Sequence, residues 1–137
     1  MNKHLLTFIF LVSITACTKT DPTPASDLVG NWRLVGYVRN ALTSSAPVSV
    51  PSDKTVLVTF ASDGTFNETY SNTRPVEYAF LGCGPGSYEL TDKQIRIQAV
   101  CMSSLSGRVF DLVAVDSKRL SISTGAGSLG YYNFERQ

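Results

Sequence analysis

From residue 27 to the end, apolar side chains recur at every second position, in short runs broken by turn residues. That period belongs to strands, whose successive side chains leave opposite faces, whereas a helix repeats about every 3.6 residues. Val56, Val58 and Phe60 alternate, and so do Ile95, Ile97 and Ala99 against Arg96 and Gln98. Further runs cover 28–38, 65–70, 88–90, 109–115 and 120–122, and Val76, Tyr78 and Phe80 share one face. Ser62-Asp63-Gly64 reads as a hairpin turn, because glycine accepts the positive φ that such turns require. Thr91-Asp92-Lys93 and Asp116-Ser117-Lys118 turn other runs, 125–130 is a flexible loop, and 131–136 closes the chain. The pattern predicts about nine strands spaced roughly 8–12 residues apart, an all-β antiparallel barrel or sandwich. A barrel leaves no open edge, and at about eight strands it holds one small ligand. The longest gap, 40–53, reads as a loop over one barrel end.

The N-terminus carries a different signal. Met1-Asn2-Lys3-His4 is followed by an apolar run that ends near Ile14. A short basic start and a brief apolar stretch form a secretory signal pattern. The run is about half the ~20 residues that a membrane-spanning helix needs. Its end, Ile14-Thr15-Ala16-Cys17, resembles the lipobox of bacterial lipoproteins. The resemblance implies cleavage before Cys17, a thioether-linked diacylglyceryl group on its sulfur and an acyl chain such as palmitate on its amine. Each buried methylene contributes ~0.8 kcal/mol, so two or three chains hold a protein durably on a bilayer. The expected organisation is then a signal peptide at 1–16, a lipidated N-terminus and flexible tether at 17–26, and a barrel domain at 27–137. The polar, Pro-containing tether could hold the domain up to ~30 Å from the membrane. Thr18, where an enteric retention signal would have Asp, points to the outer membrane of a bacterial envelope.

Removing 1–16 takes away Lys3 and His4, the one histidine. Eleven basic residues then face eleven acidic ones. That balance excludes a basic nucleic-acid binder. Without histidine there is no Ser–His or Cys–His catalysis and no His-ligated metal. With Cys17 lipidated, Cys83 and Cys101 remain and can pair in an oxidising envelope, a bridge worth ~3 kcal/mol in the chain-entropy picture. Free thiols or a metal pair are the alternatives, though no histidine or second cysteine pair is left to complete a zinc site.

Leu28-Val29-Gly30-Asn31-Trp32-Arg33-Leu34 resembles the opening strand of lipocalin-like domains, whose hallmark is Gly-x-Trp. The order of later motifs is similar to that of small Bacteroidetes lipoproteins with such a domain. These motifs are Phe60-Ala61-Ser62-Asp63-Gly64-Thr65-Phe66, Gly86-Ser87-Tyr88, Phe110-Asp111-Leu112 with Leu120-Ser121-Ile122, and Tyr132-Asn133-Phe134-Glu135-Arg136. The resemblance implies a small antiparallel lipocalin-like β-barrel of about eight to nine strands. It gives Gly30 and Trp32 a structural role at the closed end, with Arg136 (or Arg119) stacked on the indole. The middle motifs and C-terminal helix of the longer lipocalins have no counterpart here. A second similarity, to META-domain lipoproteins, rests on Gly82-Cys83-Gly84-Pro85-Gly86-Ser87-Tyr88 and the later Val100-Cys101-Met102.

Three acidic residues interrupt apolar alternations. Glu68 shares a face with Phe66 and Tyr70, Glu77 with Ala79 and Leu81, and Asp111 with Val109 and Val113. A carboxylate inside a barrel is costly unless paired, so it marks a candidate site. For Glu77 and Asp111 the polar phase is expected to face water, and for Glu68 a water-facing phase is the alternative to an inward site. Gly82-x-Gly84-x-Gly86 lacks the following helix of a phosphate loop. The expected function is non-catalytic binding of a small apolar or amphipathic molecule in the barrel, with no cofactor and no metal. Phe66, Glu68, Tyr70, Tyr78 and Phe80 are the expected lining, with Glu68 as the polar anchor. The alternative is an interaction or inhibitor module of the envelope, with a filled barrel and recognition by the loops at 40–53 and 71–75. Cys17→Ala is expected to release the protein as a soluble periplasmic product. Continued partition of that variant into membranes, followed by fractionation, would remove the anchor.

Overall fold

The structure, a computed structural model, describes residues 24–40, 42, 46–78 and 81–137. A five-residue helix, α1 (Pro24–Leu28), leads into nine strands. These are β1 (Gly30–Val38), β2 (Val48–Ser49), β3 (Thr55–Phe60), β4 (Thr65–Ser71), β5 (Gly84–Thr91), β6 (Gln94–Ala99), β7 (Arg108–Val115), β8 (Arg119–Ser123) and β9 (Tyr131–Arg136). From β3 to β9 each strand pairs antiparallel with the next. β1 pairs with β3 on one edge and β9 on the other, which closes eight strands into a barrel. The short β2 continues the line of β3 along the far half of β1.

Period two explains the walls. β3 and β6 alternate buried and open positions without a break, and Val56, Val58, Phe60, Ile95 and Ile97 are fully buried. In β7, Phe110 and Leu112 point inward, as the alternation implies. The register then shifts between Leu112 and Ala114, and the bulge leaves Ala114 exposed where alternation would place it inward. Pro24-Ala25-Ser26, expected within the tether, form the first turn of α1, where proline's fixed φ suits the start of a helix. The gap at 40–53 contains β2. The run at Val76 and Tyr78 is not a strand: Pro75 offers no N–H, and Asn72 and Val76 have φ of 53° and 67°.

The barrel is closed at the end where β1 begins and β9 finishes. Leu28 of α1 is fully buried against the core, and Trp32 Nε1 donates to its carbonyl at 2.8 Å. The Arg136 guanidinium stacks 4.2 Å over the Trp32 ring. Its nitrogens donate to the carbonyl oxygens of Val29 and Ser117, each at 2.8 Å, and of Asp27. Gly30, at φ 149°, leaves room for that guanidinium, since a Cβ there would collide with Arg136 Nη1. Arg119, by contrast, is exposed and reaches only Asp116, at 3.5 Å. Above this end, Phe60, Phe66, Phe110, Phe134 and Leu34 fill the interior with almost no exposed surface.

Arg136→Ala removes the stack and leaves three carbonyl groups short of a donor, at an expected cost of about 2–4 kcal/mol. For a domain of this size the melting temperature falls by ~10 °C or more. Arg119→Ala stays within about 0.5 kcal/mol, as an exposed pair should. Thermal melts followed by the near-ultraviolet signal of the single Trp32 compare the two, and equal losses would refute the assignment.

Candidate functional site

The longer connections lie at the opposite end of the barrel. Four connections meet there, at 39–54, 72–83, 100–107 and 124–130. Among the described residues, three of these connections and the adjoining ends of β1 and β9 border a hollow of about 330 Å³, lined by Tyr37, Arg39, Val76, Glu77, Tyr78, Thr124 and Tyr132. The strand ladder brings its aromatic wall together. Tyr37 of β1 lies opposite Tyr132 of β9, with ring centroids 6.4 Å apart at a tilt of 59°. Tyr78 comes from the segment after β4, and Lys54 Nζ sits 5.6 Å above its ring. Lys54 also pairs with Glu77 at 2.7 Å, and Glu77 accepts a second hydrogen bond from Thr73 Oγ1 at 2.6 Å.

These contacts hold 72–78 in a turn whose backbone is strained at one point. Val76 has φ 67° and is 74% exposed. The left-handed region is unfavourable for a β-branched residue, by about 1–2 kcal/mol, and such outliers concentrate where a surface is shaped for binding.

Beneath the hollow lies Glu68, 1% exposed. Its Oε2 accepts the N–H of Leu81 at 3.0 Å and of Gly82 at 2.6 Å. Burial raises its pKa above the usual carboxylate value, opposed by the Gly82 N–H, the Tyr70 phenol, the Leu81 N–H and the charge of Arg108. The Tyr70 hydroxyl is buried and makes no hydrogen bond of sound geometry among the described residues. Burial, followed by the Glu68 charge, pushes its pKa up. The strap at 81–82 is fastened three ways. Leu81 is fully buried in the core, Glu68 takes both N–H groups, and Cys83 is joined to Cys101 by a disulfide with Cα atoms 5.7 Å apart.

Of the five residues expected to line one cavity, the four that are described are dispersed. Phe66 belongs to the filled core, against Phe60 at 5.6 Å between centroids. Glu68 holds the strap rather than facing a void. Tyr70 lies partly buried beside it, and of the four described residues Tyr78 lines the hollow. Phe80 and Cys17 lie outside the described residues. Asp111 lies in the barrel wall, accepting from Gln94 Nε2 at 3.0 Å and Gly127 N at 2.8 Å. Sequence reasoning missed Tyr37, Arg39 and Tyr132. Their signal was position alone, at the strand ends opposite Trp32 and Arg136.

A larger surface depression, about 590 Å³, lies at the closed end around Asp116, Lys118, Arg119 and Arg136. Arg136 there is committed to carbonyl groups and to Trp32, so this depression is the outer face of the end closure. Among the described residues, no three His, Cys, Asp or Glu side chains converge to hold a metal ion.

No protein-family model matches the chain. No curated protein matches it in sequence. The crystal structure of an uncharacterized protein from Bacteroides eggerthii DSM 20697 is similar, with a TM-score of 0.55 at 18% identity, covering 81% of this chain and 100% of that one. That likeness is one of fold. The crystal structure of a lipocalin-like protein from Bacteroides uniformis ATCC 8492 matches at 16% identity with a TM-score of 0.45, covering 81% of this chain and 99% of that one. The architecture of this chain is a closed eight-stranded antiparallel barrel, with an indole–guanidinium stack at one end.

Glu68 sets a pH dependence. Its pKa is raised in the folded protein, so its contribution to stability is complete below the ordinary carboxylate value of 4.5 and is lost as pH rises through the folded value. Glu68→Gln removes that loss. In urea denaturation between pH 4 and 8, the wild type should weaken relative to the variant as pH rises. Parallel profiles would show that the carboxylate does not titrate in this way.

Proposed function

We propose that this chain is a lipid-anchored protein of the bacterial envelope that binds a small amphipathic molecule at the mouth of its barrel and performs no chemistry on it. The observation that carries the binding part is the hollow between Tyr37, Tyr78 and Tyr132, over which the strained turn holds Val76 in the open. Its volume is at the small end of the range for ligand pockets, about 300–1,000 Å³. The packed phenylalanines below leave the mouth as the seat, in place of a deep interior cavity. Tyrosine offers an apolar face and a polar tip, which suits an amphipathic guest.

The anchor rests on the leader and on cysteine chemistry. Cys83 and Cys101 are paired, which leaves Cys17, at the end of the Ile14-Thr15-Ala16-Cys17 motif, for lipid. Pro24 enters at the closed end, so a tether from Cys17 would direct the mouth away from its own bilayer.

A second reading has its own support. Leu42, Val76, Val100, Leu105 and Leu129, all at least half exposed, stand on the longer connections. Aliphatic side chains gathered at one end suit a protein partner.

Native mass spectrometry separates the two. The described core runs from Leu28 to Phe134, so the chain from residue 24 carries its whole folding unit. Exported into an envelope and purified gently, it should show a mass excess that disappears on denaturation. Tyr78→Ala should reduce that excess. A bare mass would overturn the small-ligand reading in favour of the partner.

A further inference from the structure

We propose that the molecule held at the mouth carries an anionic headgroup, a carboxylate or a phosphate, and that Arg39 receives it. This deepens the ligand-binding reading and rests on it. The inference comes from which charges around the hollow are already engaged. Glu77, the one acidic side chain in the lining, is held by Lys54 at 2.7 Å and by Thr73 at 2.6 Å. Its charge and that of Lys54 cancel in one close pair. Arg39 has no carboxylate within ion-pairing distance among the described residues. Its Nη2 donates only to the Tyr37 hydroxyl, at a long 3.3 Å, and its guanidinium carbon lies 5.8 Å from the centre of that ring.

The surroundings add to this bias. The connections at 100–107 and 124–130 contain no charged residue, and 72–83 adds Arg74 beside the neutralised Glu77. Counting from Arg39 to Lys54, the only acidic residue is Asp53. At the closed end Asp27, Asp63, Asp92, Asp116 and Glu135 are nearly balanced by Lys93, Lys118, Arg119 and Arg136. The mouth therefore carries a small excess of positive charge, Arg39, Lys54 and Arg74 against Asp53 and Glu77, and such a field draws anions.

Arginine is suited to the task, because its planar fork meets two oxygens of a carboxylate or phosphate at once. Tyr37 presents the fork through its hydroxyl, which accepts from Arg39 Nη2 at 3.3 Å. The apolar part of the guest then has the rings of Tyr78 and Tyr132 and the side chain of Val76 to lie against.

The test is titration calorimetry on the chain from residue 24, with octanoate, octanamide, octyltrimethylammonium and octyl phosphate as probes. Octanoate should bind about tenfold more tightly than octanamide, as one charge-assisted pairing is worth about that factor. The trimethylammonium probe should bind most weakly. Arg39→Gln should reduce the octanoate preference to less than twofold, leave octanamide unchanged and leave the melting temperature unchanged, because Arg39 is exposed. Arg39→Lys should recover part of the preference. Comparing octyl phosphate with octanoate identifies which anion the fork favours. Equal binding of octanoate and octanamide would overturn the headgroup assignment alone, as would a preference that survives Arg39→Gln. Failure of all four probes to bind would overturn binding at the mouth itself.

Discussion

The barrel depends on one contact between its first and last strands. Closing eight strands requires β9 to find β1 across the whole length of the chain, and until it does both edges are left with unpaired backbone groups. Arg136 secures that closure from the side-chain layer. It lies flat on Trp32 of β1 and, through its guanidinium, gathers the carbonyl groups of Asp27, Val29 and Ser117. Three separate pieces of chain (the α1 entry, the β7–β8 turn and β9) are thereby fixed to the same indole. Gly30 belongs to this contact through the atom it lacks.

Closure at that end decides what the other end can do. The indole and the phenylalanines stacked above it occupy the volume that a larger barrel would leave for a guest. Glu68, the one buried carboxylate among the described residues, is already bonded to backbone N–H groups and holds the strap at 81–82. Recognition is left to side chains at strand ends and in the turns beyond them, where the ladder sets direction without burying the tip. Tyr37, Arg39, Tyr78 and Tyr132 are of this kind.

The walls were legible in the sequence because a strand with one face in the core must alternate. Val56-x-Val58-x-Phe60 and Ile95-x-Ile97-x-Ala99 could serve no other element so well. The closed end was legible through a resemblance, and packing supplies its reason in the touching of Gly30, Trp32 and Arg136. The run at Val76 and Tyr78 misled because alternation says nothing about whether a partner strand is available, and the positive φ at Val76 turns the backbone out of line. Glu68 stood out correctly as an inward carboxylate, yet its partners are main-chain N–H groups, which leave no mark on side-chain pattern. The mouth was the least legible part. Tyr37 and Tyr132 become neighbours only through the β1–β9 register, and Arg39 falls just beyond a strand with no motif around it.

The position of the first and last barrel residues has a mechanical consequence. Gly30 and Arg136 lie at the same end of two adjacent antiparallel strands. A load applied between them would open the β1–β9 seam like a zip, one rung at a time, because the force runs along the inter-strand hydrogen bonds and not across them. The first rungs to feel it are those under the indole and the guanidinium. The stack is therefore also the clasp that sets how much tension the seam bears before it runs, and the far end of the seam, where Tyr37 meets Tyr132, would be the last to part.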